Sequence, residues 1–179
     1  MMEISFNELR HRASKIKWFF CDIDGTLTDA GVYYSPEGEL MKKFSLRDGT
    51  GFFLLKEIGI KTGVITTECS LVVKQRVQKL NINKYIYGTH RKLETMQKFA
   101  EEEGLTLDEI AFIGDEINDV KLLSSCGLAF AVADADFHVQ KVAHIVCKKE
   151  GGKGAFREAV DILLELKNVS VDTIIDNSL

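Results

Sequence analysis

Short apolar runs that stop abruptly on polar residues set the frame of this chain. Trp18-Phe19-Phe20-Cys21, entered from Lys17, ends on Asp22, and Lys61 to Ile65 ends on Thr66-Thr67-Glu68. Ile110 to Ile113 ends on Gly114-Asp115-Glu116-Ile117-Asn118-Asp119. A strand covered on both faces of a parallel sheet reads this way, apolar without alternation. Lys84 to Tyr87, Leu128 to Val132 and Ile145 to Cys147 are further short strands of the same kind. Between them the apolar spacing turns helical. Phe52 to Ile58 follow an opening at Arg47-Asp48-Gly49-Thr50-Gly51 and end at Gly59. Leu71, Val72, Val73, Val77 and Leu80 share a second helix, and Leu93, Met96, Phe99 and Ala100 mark one side of a third, Lys92 to Glu103. Val120 to Ser125, a helix beginning at Asp134-Ala135-Asp136, and Ala155 to Leu166 complete the set. This alternation predicts a three-layer, Rossmann-like α/β fold with a mostly parallel sheet.

One region breaks the alternation. Val32-Tyr33-Tyr34 and Met41-Lys42-Lys43-Phe44 are strand-like and flank Ser35-Pro36-Glu37-Gly38-Glu39, a turn signal, so a β-hairpin over about 29–46 is expected. It is read as a flap, an assembly element or a plain exposed hairpin. Residues 1–16 form a lead segment in which Leu9 and Ile16 suit a short helix. Residues 17–167 form the main domain, and 168–179 a tail that packs on this subunit, packs on a neighbour or stays disordered.

At 20.1 kDa and 45% hydrophobic the chain has enough material for one sizeable core. A formal charge of −4, with no basic stripe, argues against nucleic acid or an anionic membrane as partner. It also requires any phosphate site to be made positive locally. The four cysteines stand singly at Cys21, Cys69, Cys126 and Cys147, with no Cys-x-x-Cys pair, which disfavours zinc and redox roles. No secretory or membrane-spanning stretch is apparent, so the expected compartment is the cytoplasm.

Asp22 and Asp24 in isolation would read as the start of a turn. In company they read otherwise. Asp22-Ile23-Asp24-Gly25-Thr26-Leu27-Thr28, with Thr66, Lys92 and the acidic run Gly114 to Asp119, resembles the signature of the haloacid-dehalogenase (HAD) superfamily of aspartyl-phosphate phosphatases. The resemblance implies Asp22 as nucleophile and Asp24 as general acid/base. It also implies Thr66 as a hydrogen-bond donor to the transferring phosphoryl, and Lys92 as the cation beside it. Thr66 and Thr67 compete for a helix-capping job. An aspartate that attacks phosphate needs its charge offset by a divalent cation, and magnesium suits an all-oxygen site. Asp22, Asp115 and the main-chain carbonyl of Asp24 are the implied ligands, with Glu116 and Asp119 around them and Asp119 orienting Lys92.

The interval from Asp24 to Thr66 is too short for a large cap domain. From about Lys17 to Leu166 the chain resembles the capless 3-deoxy-D-manno-octulosonate 8-phosphate (KDO 8-phosphate) phosphatases. The stretches that carry this are Lys43 to Gly49, Gly114 to Asp119, Ala131 to Ala135 and Gly151 to Glu158. The related nine-carbon ulosonate 9-phosphate phosphatases belong to the same group. The resemblance implies a homotetramer built through the hairpins, with a neighbouring subunit capping each site. Gly152, Lys153 and Arg157 become candidates for the sugar acid's carboxylate. Arg47 becomes a substrate contact or a structural ion pair. Thr67 stands where glycine is common, which implies a tighter pocket. Glu68 stands where eight-carbon enzymes tend to have arginine and nine-carbon enzymes glutamate, whereas Cys69 departs from the lysine that tends to follow in the latter. Lys74 and Arg76 are candidates for compensating positive charge or a solvated helix face. The pathway is then lipopolysaccharide or sialic-acid-like. A noncatalytic assembly domain, like that fused to some sialic-acid cytidylyltransferases, and a phosphatase for another phosphosugar are the alternatives.

Overall fold

A computed structural model describes residues 4–178, so Met1 to Glu3 of the lead segment and Leu179 of the tail lie outside it. Six strands form one parallel sheet: β1 (Trp18–Cys21), β4 (Lys61–Ile65), β5 (Lys84–Ile86), β6 (Ile110–Gly114), β7 (Leu128–Ala131) and β8 (Ile145–Val146), in the order β5-β4-β1-β6-β7-β8. The centre is β1, with Trp18 level with Lys61 of β4 on one side and Ile110 of β6 on the other. This register brings Cys21 level with Val64 and Ile113, so the chain leaves all three strands at one edge. Such an edge, where neighbouring connections diverge, is where open α/β sheets build sites.

The unbroken apolar runs are explained by the two faces. Phe19 meets Phe130 and Phe156, and Phe156 stacks on Phe52 of α2 (Leu46–Glu57). Trp18 and Phe20 point the other way and meet Phe99 of α4 (Lys92–Glu102) edge-on. α7 (Ala155–Leu166) packs with α2 and with α1 (Phe6–Lys15), whereas α4 packs with α5 (Val120–Leu123) and α5 with α6 (Phe137–Val142). Phe19, Phe20, Phe112 and Phe130 are fully buried. Burying such a side chain is worth roughly 2–3 kcal/mol, so the central strands anchor the edge where the polar residues emerge.

The hairpin lies where expected, with longer strands and a shorter turn than the pattern suggested: β2 is Thr28–Ser35 and β3 is Gly38–Phe44. Its register is irregular, for Tyr33 pairs with Met41 but Tyr34 pairs with Glu39. Leu40 is therefore an extra residue, a β-bulge. α3 (Leu71–Lys79) is capped by the Ser70 hydroxyl, which accepts from the Val73 N–H at 3.2 Å. The tail forms α8 (Val171–Ser178), and Ile174 is buried on this subunit beside α2. Among the described residues no helix is long and apolar enough to cross a membrane.

Candidate active site

Asp22 directly follows β1, and its N–H donates to the Ile113 carbonyl of β6 at 3.0 Å. Asp115 directly follows β6, and Thr66 directly follows β4. Lys92 opens α4 and is buried, its ammonium donating to Asp22 Oδ1 at 2.7 Å and to Asp119 Oδ1 at 2.6 Å. Sequence positions 22, 66, 92, 115 and 119 thus meet at one edge of the sheet.

Candidate ligand oxygens of Asp22, Asp115 and Asp119 lie within 4.8 Å of one another. Crowding and burial act on two of these carboxylates, Asp22 and Asp115. Burial and then the Asp119 charge push Asp22 up to about 7; burial and then the Asp22 charge push Asp115 up to about 8. For Lys92 burial acts downward, but the two aspartates outweigh it and the ammonium is held charged. One lysine against three carboxylates leaves negative charge unmatched, and the donors are all oxygen. That set fits magnesium. Asp119 is already occupied: besides Lys92, its Oδ2 accepts from the N–H groups of Asp115 (3.1 Å) and Glu116 (3.4 Å). It fixes the loop and the lysine, leaving Asp22 and Asp115 as the carboxylates best placed for an ion.

Thr26 belongs to the first motif without a role of its own in the sequence, yet its hydroxyl donates to Asp115 Oδ1 at 3.0 Å and is fully buried. Gly25 makes room for that meeting. A Cβ there would lie 2.0 Å from Asp115 Oδ2, and its φ of +87° favours glycine as well.

A cavity of about 360 Å³ opens above the cluster, lined by Asp22, Asp24, Thr66, Thr67, Glu68, Asp115 and Glu116, and by Tyr34, Glu39 and Lys42 of the hairpin. The Thr66 hydroxyl accepts from the Glu68 N–H at 3.2 Å, which leaves its proton for another acceptor. Lys42 is a second residue whose role the sequence does not show. Its Nζ reaches Asp24 Oδ1 at 2.5 Å and Glu39 Oε2 at 3.5 Å, with the side chain 1% exposed. A lysine in a hairpin carries no local sign that it turns inward; the signal lay in a bulge that the pattern does not show.

The other candidates lie outside this subunit's cavity. Arg76 donates to the Ser45 carbonyl at 3.1 Å and sits over the Phe44 ring, joining α3 to the hairpin's exit. Arg157 pairs with Asp161 at 2.8 Å, and its N–H donates to Asp48. Arg47, Lys74 and Lys153 are exposed, and Lys153 pairs with Glu150. Gly152 is a packing residue here: its N–H donates to the Thr26 carbonyl at 3.0 Å. With Gly151, whose Cβ would fall 1.7 Å from the Gly25 carbonyl oxygen, it lets the loop before α7 press against the Asp22–Thr28 loop.

Comparison with known proteins agrees with this geometry. Residues 63–157 match the model of the haloacid dehalogenase-like hydrolases. The chain is 33% identical over 162 residues to the 3-deoxy-D-manno-octulosonate 8-phosphate phosphatase KdsC of Haemophilus influenzae, covering 90% of each. The cobalt-bound structure of the Haemophilus influenzae phosphatase superposes with a TM-score of 0.84 at 34% identity, covering 88% of this chain and 92% of that one. The Moraxella catarrhalis 3-deoxy-D-manno-octulosonate 8-phosphate phosphatase, solved with magnesium, phosphate and KDO, gives 0.91 at 32% identity, covering 98% and 100%.

Proposed function

The chain belongs to the capless haloacid dehalogenase-like phosphatases of the KDO 8-phosphate phosphatase family, and on that premise we propose that it hydrolyses a phosphorylated ulosonic acid through a phosphoaspartate on Asp22. The observation that carries this is the meeting of Asp22, Lys92, Asp115 and Asp119 beneath a cavity that also admits Asp24 and Thr66.

Asp22 attacks phosphorus, and the ester P–O bond breaks as Asp24 gives its proton to the departing sugar oxygen. Asp24 then takes a proton from water, whose oxygen attacks phosphorus. The bond to Asp22 breaks, and inorganic phosphate leaves. Lys92 neutralises Asp22 and the phosphoryl group, and the Thr66 hydroxyl donates to a phosphoryl oxygen. Magnesium, held by Asp22, Asp115 and the Asp24 carbonyl, would supply the charge neutralisation that lets two anions meet.

Glu68 places an acceptor in the cavity, suited to a sugar hydroxyl. The relatives named above support an eight-carbon acid, whereas Glu68 supports a nine-carbon one. Among the described residues Lys42 is the sole cation lining the cavity. The substrate's carboxylate therefore suits a cation from a neighbouring copy, in a homotetramer whose hairpins expose Tyr33, Leu40 and Met41 for assembly.

The test is phosphate release with magnesium from KDO 8-phosphate and 2-keto-3-deoxynononate 9-phosphate, compared by kcat/KM. Asp22→Asn is expected to lose at least ~10³-fold in kcat while keeping its assembly state. Turnover retained by that variant would remove Asp22 from the role, and turnover of neither acid by the wild type would remove the substrate class.

A further inference from the structure

The hairpin does more to the site than roof it. In a regular strand residues 39 and 42, three apart, point to opposite faces. Here Leu40 is bulged out between the Tyr33–Met41 and Tyr34–Glu39 pairs, which returns Glu39 to the face of Lys42. Both then line the cavity, while Leu40, Met41 and Lys43 are exposed. Glu39 is itself held from the other side: the hydroxyl of Ser70, the cap of α3, donates to its Oε1. A chain of contacts thus runs from the α3 N-terminus through Ser70, Glu39 and Lys42 to Asp24 Oδ1.

The far end of that chain matters most. Asp24 Oδ1 is taken by Lys42, but Asp24 Oδ2 is buried with no hydrogen-bond partner among the described residues. The two oxygens of one carboxyl are therefore distinguished by the hairpin. We propose that Lys42, held by Glu39 across the bulge, is a positioning residue that grips Oδ1 of Asp24 and so presents Oδ2 to the departing oxygen of the phosphate ester. This rests on the acid/base reading of Asp24 given above. A side chain that a ligand would meet is thereby set by an element outside the α/β core.

The leaving group tests it. A sugar alkoxide needs a proton as the P–O bond breaks, whereas p-nitrophenolate leaves without one. Because kcat/KM reports steps up to phosphoryl transfer, it isolates the part of the cycle in which Asp24 acts as acid. The experiment compares wild type, Lys42→Met, Glu39→Gln and Asp24→Asn on p-nitrophenyl phosphate and on the better of the two ulosonate phosphates, with saturating magnesium. Lys42→Met is expected to lose at least ~10-fold in kcat/KM on the sugar phosphate and under ~3-fold on the aryl phosphate. Glu39→Gln, which keeps the bulge and the lysine, is expected to show a smaller loss of the same selectivity.

A merely structural role would lower both substrates together. Should Asp24→Asn be selective while Lys42→Met and Glu39→Gln lose equally on both substrates, or lose nothing, the positioning role is overturned and the acid/base reading stands. If Lys42→Met fails to fold, Glu39→Gln decides by the same comparison. Absence of selectivity in Asp24→Asn overturns the acid/base reading itself, and the inference with it.

Discussion

Lys92 shows how much a single buried charge is asked to do. Its ammonium is 0% exposed and joins Asp22 to Asp119, two carboxylates that would otherwise repel. Removing one partner of a buried ion pair strands the other, at a cost of about 3–5 kcal/mol. Lys92→Met should sit near the low end, about 3 kcal/mol, because Asp22 can take up a proton once the lysine is gone. Urea denaturation without metal measures this, and a loss under ~1 kcal/mol would show that the lysine does not hold the carboxylates together. The position of Lys92 was legible in the sequence because the resemblance to a known signature marks it, and Asp22 and Asp115 were legible because each ends an apolar run. Thr26 and Lys42 were not. Nothing about a buried threonine or a hairpin lysine names its partner until the chain is folded.

At the scale of elements, the strands and helices of the sheet were legible because burial on both faces leaves an unmistakable apolar run. The hairpin was legible as a hairpin, but its register was not. A one-residue bulge changes which side chains face inward without changing composition. The Gly151-Gly152 segment forms, in this subunit, a wedge under the Asp22–Thr28 loop, with Gly151 N–H also donating to Asp134 Oδ1 at 2.9 Å, a packing role that no sequence pattern announces. That contact leaves no space for a methyl group. Gly151→Ala should therefore displace the Asp22–Thr28 loop, lowering kcat by ~10-fold or more, since small displacements of reacting groups have effects of that order or larger. It should also lower thermal stability. Full activity with an unchanged Tm would mean that the two loops are not mechanically joined.

For the whole molecule, stability must follow the groups that folding takes out of water. Asp22 and Asp115 have folded pKa values raised above the ordinary carboxylate value, so in the metal-free protein they favour the folded state below that value and less so as pH rises to about 7–8. His144 has the opposite sign. Burial, and then the charge of Arg12, lower its pKa, against a smaller upward pull from Glu8. Its Nδ1 accepts from the Ala129 N–H at 2.9 Å, tying the turn before β8 to β7, and a proton on that nitrogen breaks the bond. The unfolded chain therefore binds this proton more readily than the folded one, and stability falls as pH drops below the ordinary histidine value of 6.5. Saturating magnesium holds the site carboxylates ionised and leaves the histidine's share visible. Under that condition the wild-type Tm should fall between pH 7.5 and pH 5.5, by roughly 2–4 °C for each kcal/mol lost. His144→Asn, whose side-chain oxygen can accept from the same N–H but does not titrate, should flatten that slope. An equally steep slope in the variant would assign the acid sensitivity to other groups and leave His144 as a neutral clasp between the last two strands.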